Sequence, residues 1–284
     1  MNLATHGIIE SRVTSAALLL DTYSGASVAF SLRKLRTAYT GNCIRVRRAS
    51  DNAEQNIGFV GNDLDTASLL TFCAGTNGFV TTWYDQSSNV RNVSQLTAAN
   101  QPEIVLSGSL ILEGGKPAIN CLGDMLINSN LAYTTNTVYL SAVAKSTGTG
   151  SVNVIASQNS SIVTGRSVIL ETRTASTSSV YFFNNGTGYS NTCAETLTLG
   201  TRYLFTNYSF SNNYYTAING GAGNNVISGQ SFIPVSSLGF SVLASPSNTN
   251  HFQGNVQEIV LWNSDQSANK TGIESNINSH YSIY

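Results

Sequence analysis

Charge is scarce in this 284-residue chain: only 10% of its residues are Asp, Glu, Lys or Arg, and the net charge is −1. Such a balance excludes a global electrostatic pull toward nucleic acid or acidic membranes. Four prolines are too few for a rigid linker or a Pro-rich disordered tail. The four cysteines, Cys43, Cys73, Cys121 and Cys193, are far apart and form no Cys-x-x-Cys pair, so zinc and iron–sulfur spacings are absent. They are either buried thiols or members of one or two disulfides. The first residues lack a basic stretch followed by an apolar core, which favours thiols. No apolar run approaches the 18 or so residues that span a bilayer. Neither an internal repeat nor a linker divides the chain. An arm over residues 1–14 and one domain over residues 15–284 are expected.

What the chain does contain is Gly, Ser, Thr, Asn, Tyr, Val and Ile in short alternating runs. Gly78 to Trp83 is the clearest, with Phe79, Thr81 and Trp83 at period two and Val80 and Thr82 between them. Bulk on both faces predicts an inner strand covered on two sides. The run ends in Trp83-Tyr84-Asp85-Gln86-Ser87, a polar corner whose Asp85 and Ser87 suit local backbone hydrogen bonds. Cys43 to Arg47 alternates strictly, with Ile44 and Val46 inward. Thr137 to Lys145 places Val138, Leu140, Ala142 and Ala144 on one face. Arg202 to Ser209 and Asn213 to Asn219 read as a hairpin. Asp65 is an N-cap for a short helix that stops at Gly75. After Ser267 the period changes: Ile273, Ile277 and Tyr281 make one apolar helical stripe. Many short strands with Gly/Asn/Ser turns indicate a sandwich rather than a βαβ fold.

Seven of the 14 basic residues crowd between Arg12 and Arg48, where Asp51, Glu54, Asp63 and Asp65 are nearby partners. Oxygen donors for Ca²⁺ exist at Asp63, Asp65, Asp85 and Asp124, but no compact loop assembles them, and neither metal nor cofactor is expected. The three histidines, His6, His251 and His280, fall in the arm, in a loop and in the terminal helix, with no nucleophile elbow to make a triad.

Several blocks in order carry a resemblance: Ser31 to Arg36, Cys43 to Asp51, Ile57-Gly58-Phe59, and the corner Trp83 to Ser87. They resemble the N-terminal half of the catalytic domain of family 54 α-L-arabinofuranosidases, and similar blocks occur in bacteriophage structural proteins. Phe252 to Trp262 resembles the last strand of laminin-G-like, concanavalin A-like jelly rolls. The resemblance implies an all-β, concanavalin A-like jelly-roll sandwich of two antiparallel sheets with a short C-terminal helix. In the family the corner continues Asp-Gln-Ser-Gly-Asn-Gly; here Ser88 and Val90 replace the glycines, which predicts a relaxed turn.

A retaining glycosidase needs a nucleophile and a general acid/base on two carboxyl groups about 5–5.5 Å apart. The resemblance puts the nucleophile at Glu171, in Ile169-Leu170-Glu171. It puts the acid/base shortly before the last strand, yet no Asp or Glu occurs from Thr196 to Gln257. Asn248 and Asn250 stand there, and an amide does not exchange a proton at neutral pH. The family's adjacent cysteine pair is also missing. The expectation is therefore a non-enzymatic bacteriophage virion protein, a head fibre, decoration or tail adhesin. It would dock on other virion proteins through its arm, as a homo-oligomer, and bind a host-surface glycan. Tyr181, Asn184, Tyr214 and Tyr215 are the candidate sugar contacts, and Glu171 is the catalytic residue only under the alternative, a glycoside hydrolase related to the arabinofuranosidases.

Overall fold

The computed structural model describes residues 17–128, 137–148, 152–158, 168–173, 177–184, 187–227, 240–243 and 251–284. Within 152, 158, 168–173, 177–184, 187–196 and 224–227 only the backbone is described. The expected arm, residues 1–14, lies outside the described residues.

Nineteen strands form one continuous antiparallel sheet that curls into two layers. The first layer runs Glu54–Ile57, Ile44–Arg48, Gly78–Trp83, Val93–Ser94, Leu126–Asn128, Phe240–Val242, Val152–Gln158, Val168–Arg173, Thr177–Asn184 and Thr187–Thr196. In the second, Ala26–Ser31 and Ile119–Leu122 lie end to end on Gln253–Trp262. Beyond it follow Val138–Ser146, Arg202–Phe210, Asn213–Ile218 and Asn224–Ile227. Glu103–Leu106 pairs with both Gly78–Trp83 and Ile119–Leu122 and seams the layers together. The architecture is the β-sandwich that the alternation and the resemblance imply.

Alternation explains the core. Ile44, Val46, Val80, Trp83, Leu126 and Val242 from the first layer meet Phe30, Leu140, Ala142, Phe205, Ile259 and Leu261 from the second, all essentially without solvent contact. Phe30 ties the layers, 5.8 Å from Trp83 and 6.2 Å from Phe240 between ring centroids. A second apolar cluster covers the outer face of the second layer. There Ile273, Ile277 and Tyr281 of the helix Lys270–Tyr281 bury their stripe on Tyr139, Val143, Leu204 and Trp262. The apolar run at Leu18 to Leu20 joins this cluster as a short helix, Leu19–Thr22. Asp65 caps Thr66–Cys73, accepting from the Ser68 N–H at 3.0 Å.

Strict alternation fails within Gly78–Trp83. Arg45 pairs with Thr82 and Val46 with Val80, so Thr81 is an extra residue in a β-bulge. The bulge resets the phase: Trp83 and Val80 share the core face, and Phe79 shares the outer face with Thr82. That outer face is half-exposed rather than covered, with the Arg47 guanidinium 4.6 Å over the Phe79 ring.

Candidate functional site

The face of the first layer turned away from the core carries one register row across nine strands. Arg45, Thr82, Ser94, Ile127, Ser241, Ser157, Ile169, Tyr181 and Ser190 are successive partners. Seven of the nine are polar, six of them hydroxyl residues, because alternate positions on each strand feed the core. Ser157 and Ser241 hydrogen-bond to each other at 2.9 Å and are buried. At the other end of the row a cavity of about 250 Å³ is lined by Arg45, Glu54, Thr82, Ser94, Gln95 and Gln101, among others. Leu96, 94% exposed, stands at its edge.

The strand that holds Glu171 joins the row through a second bulge. Val154 pairs with Glu171 but Ala156 with Leu170, so Ile155 is the extra residue. Leu170 aligns with the core residue Ala156, and Glu171 aligns with Val154 on one side and Ser179 on the other. Side chains of Glu171, Tyr181 and Asn184 lie outside the described residues, as do Asn248 and Asn250.

One rim of the sandwich holds a polar group drawn from three loops and strands. Asp124 sits where the chain leaves Ile119–Leu122 and crosses to Leu126–Asn128. His251 sits where the chain, having left Phe240–Val242, enters Gln253–Trp262. The two crossings lie side by side, because Leu122 pairs with Gln253 and Leu126 with Val242. Burial raises the Asp124 pKa above the usual carboxylate range, opposed by the Leu122 N–H that it accepts at 2.9 Å and by the charge of His251. Glu103 is also raised, by burial and then by the Asp124 charge, and is held by the amides of Asn120 and Asn77.

The corner Trp83 to Ser87 is a clamp rather than a contact surface. Asp85, 1% exposed, accepts from the backbone N–H groups of Ala29, Ser87 and Arg91, each at 2.8 Å, and from the Ser87 hydroxyl at 2.7 Å. The Gln86 side chain accepts from Leu35 N–H and donates to the carbonyls of Ser31 and Arg33. Tyr84 donates to Asn56, and Trp83 is wholly buried. The turn beyond is not relaxed: Val90 stands in the left-handed region at φ 55°. A β-branched residue thus keeps a backbone shape that glycine adopts without cost.

Two of the candidate sugar contacts are placed differently from expectation. Tyr214 is 1% exposed and belongs to the main core, because its strand turns alternate residues inward. Tyr215 is half-buried in a ring stack, 4.8 Å from Tyr208 and 5.2 Å from Phe210. The four aspartates named for Ca²⁺ do not converge, and among the described residues no three His, Cys, Asp or Glu side chains form a metal-sized group. Cys43, Cys73 and Cys121 are buried free thiols. No helix among the described residues is long and apolar enough to cross a membrane. The sequence reading missed the strand Thr187–Thr196, which is almost wholly polar.

Comparison with known proteins bears on the site directly. The profile of the α-L-arabinofuranosidase B catalytic family matches residues 22–193, a span containing the corner and Glu171. A probable α-L-arabinofuranosidase B of Aspergillus terreus is 33% identical over 96 residues, 31% of this chain and 19% of that protein. A solved family 54 α-L-arabinofuranosidase soaked with a cyclic sulfate inhibitor matches with a TM-score of 0.69 at 15% identity, over 91% of this chain and 64% of that one. An arabinofuranosidase complexed with arabinofuranosyl-α-1,2-xylobiose matches at 0.63 and 16%, with the same coverage. At these identities the structures establish the fold, and the chain spans less than two thirds of each relative. The expectation of a non-enzymatic phage virion protein, whether head fibre, decoration or tail adhesin, is overturned by these matches, all of them to arabinofuranosidases. The weight placed on the missing acid/base residue was the error, since one absent side chain does not remove a domain from its family. With more than half of its length inside the match, the chain belongs to the α-L-arabinofuranosidase B catalytic family.

Proposed function

We propose that the chain is a glycoside hydrolase domain that cleaves terminal α-L-arabinofuranosyl units from oligosaccharides. The observation that carries this reading is the family match running through Val168–Arg173, the strand that holds Glu171. Glu171 is the carboxylate that attacks the sugar C1, and the register row beside its strand supplies hydroxyl partners for sugar hydroxyls. The family signal ends at residue 193, before the segment where the resemblance puts the acid/base. The nucleophile side of the reaction therefore has family support and the proton donor does not.

The test is turnover of 4-nitrophenyl α-L-arabinofuranoside by purified protein. Wild type releases nitrophenolate, and Glu171→Gln lowers the rate by a factor on the order of a thousand or more while the circular dichroism spectrum is unchanged. A wild type that releases nothing from this substrate or from arabinofuranosyl xylobiose overturns the reading. Full activity in Glu171→Gln overturns the assignment of the nucleophile.

A further inference from the structure

The cavity at the Arg45 end of the register row is shaped by the first bulge and by a fixed pair of amides. Thr81, the extra residue of the bulge, and Thr82 both line it, where regular alternation would send one of the two inward. Gln95 and Gln101 line it from buried positions. Gln95 donates to the Met125 carbonyl at 3.2 Å and accepts from the Thr97 N–H at 3.0 Å. Gln101 donates to the Gln95 carbonyl at 2.9 Å and accepts from Arg47 Nε at 2.7 Å. With these amides engaged at both ends, that part of the wall is preformed.

The remaining polar groups are left for a ligand. Arg45 donates from Nε to Glu54 Oε2, and Glu54 Oε1 has no partner among the described residues. A guanidinium carries five N–H donors, so Arg45 keeps some to spare even with the Tyr84 hydroxyl beside it. Among the described residues the Thr82 and Ser94 hydroxyls have no hydrogen-bond partner either. Arg45 and Glu54 are the charged groups of the lining and cancel each other. A neutral lining with donors and acceptors side by side suits neighbouring hydroxyls of an uncharged sugar better than an ion. Leu96, 94% exposed at the edge, offers an apolar surface to the C–H face of a sugar ring. At about 250 Å³ the cavity is smaller than the roughly 300–1,000 Å³ of pockets that enclose drug-sized ligands. It is also open, with the Arg45 and Glu54 side chains 44% and 34% exposed. Such a shape takes one ring of a chain that continues past it.

Its position says which part of a substrate it would hold. Printed register partners lead from Ser94 through Ile127, Ser241 and Ser157 to Ile169, on the strand of Glu171. Four strand spacings lie between Val93–Ser94 and Val168–Arg173, roughly 19 Å along the sheet, farther than a disaccharide reaches. Ser241 and Ser157, midway, are buried, so the cavity is a separate place on the same face. We infer that this cavity is a second carbohydrate site, which holds one backbone unit of a neutral, arabinofuranosyl-bearing polysaccharide away from the bond that is cut. The choice of polymer rests on the hydrolase reading above.

Retardation in a native gel cast with arabinoxylan tests the site, in the Glu171→Gln background so that the polymer stays intact. The parent is retarded, and Arg45→Ala and Leu96→Ser each weaken its apparent affinity about tenfold, the size of one lost hydrogen bond or apolar contact. Both side chains are exposed wholly or in part, so the thermal midpoints stay at the parent value. A gel cast with polygalacturonate, a polyanion, leaves the parent unretarded. No retardation in arabinoxylan, or retardation that either variant leaves unchanged, overturns the site. Equal retardation by polygalacturonate overturns the neutral ligand. Retardation as stated, with a wild type that turns over neither arabinofuranosyl substrate, keeps the site and overturns the hydrolase reading. A wild type that hydrolyses 4-nitrophenyl α-L-arabinofuranoside while the parent is not retarded does the reverse.

Discussion

Two sets of acidic residues in this molecule are treated in opposite ways. Around the strand Ala26–Ser31, Glu258 and Asp85 are saturated. Arg33 donates to Glu258 from Nε at 2.7 Å and from Nη2 at 3.0 Å, while Ser31 and Tyr281 add hydroxyl donors. Burial by itself would raise the Glu258 pKa, but the Arg33 charge and the hydrogen bonds from Arg33 and Ser31 bring it below the ordinary value. At the rim, Glu103 and Asp124 lack a cation, and burial pushes both up. A carboxylate paired with a cation and several donors is a bolt, whereas one half-buried without a cation is held less firmly. The contrast predicts that substitutions in the first region cost far more stability than those in the second.

The largest stability effect belongs to Glu258→Ala, which strands the buried Arg33 guanidinium and costs about 3–5 kcal/mol in urea unfolding. Asp85→Ala follows at roughly 2–3 kcal/mol, because three backbone N–H groups and a hydroxyl lose their acceptor. If either protein unfolds like wild type, the bolt reading is wrong. Val90→Gly goes the other way. Releasing a β-branched residue from the left-handed region raises stability by about 1 kcal/mol, and a lowered thermal midpoint would contradict the strain.

The pH dependence sharpens the same comparison. The Glu258 pKa is depressed in the fold, so its contribution is present above the ordinary glutamate value and is lost as pH falls through the folded value. His280, on the helix that covers Arg33, is lowered from 6.5 to about 4 by burial, then by the Arg33 charge. The unfolded chain therefore binds a proton first, and stability falls as pH drops from 6.5 toward 4. His280→Gln flattens that part of the stability curve; a curve parallel to wild type would show that the imidazole charges freely. The smallest effect is expected at Arg48→Gln, where the ion pair with Asp51 is on the surface. Its thermal midpoint stays at the wild-type value within error.

Much of the sandwich was legible before any coordinates. Ile44 and Val46 alternate with arginines, and Leu140 and Ala142 recur at period two, so their faces could be read by period alone. The stripe Ile273, Ile277, Tyr281 marked the last helix, and Asp65 marked the N-cap of the helix Thr66–Cys73. Thr187–Thr196 was not legible, since a strand of Thr, Ser and Asn carries no apolar period. The two bulges, at Thr81 and Ile155, were invisible for another reason: a bulge is a property of the pairing, and the partner strand is far away in sequence. Tyr214 and Tyr215 are neighbours, so the identity of the residues could not say which one the core would take.

Sequence alone determined the class of the fold, the scarcity of charge, the position of Glu171 in its motif and the lack of a carboxyl group between Thr196 and Gln257. These follow from local periodicity and from a linear pattern. Only the tertiary structure decided that Asp85 is a clamp, that Val90 keeps a glycine-like turn, and that the crossing of Asp124 lies beside that of His251. The last of these depends on strand register, which brings together residues 127 positions apart.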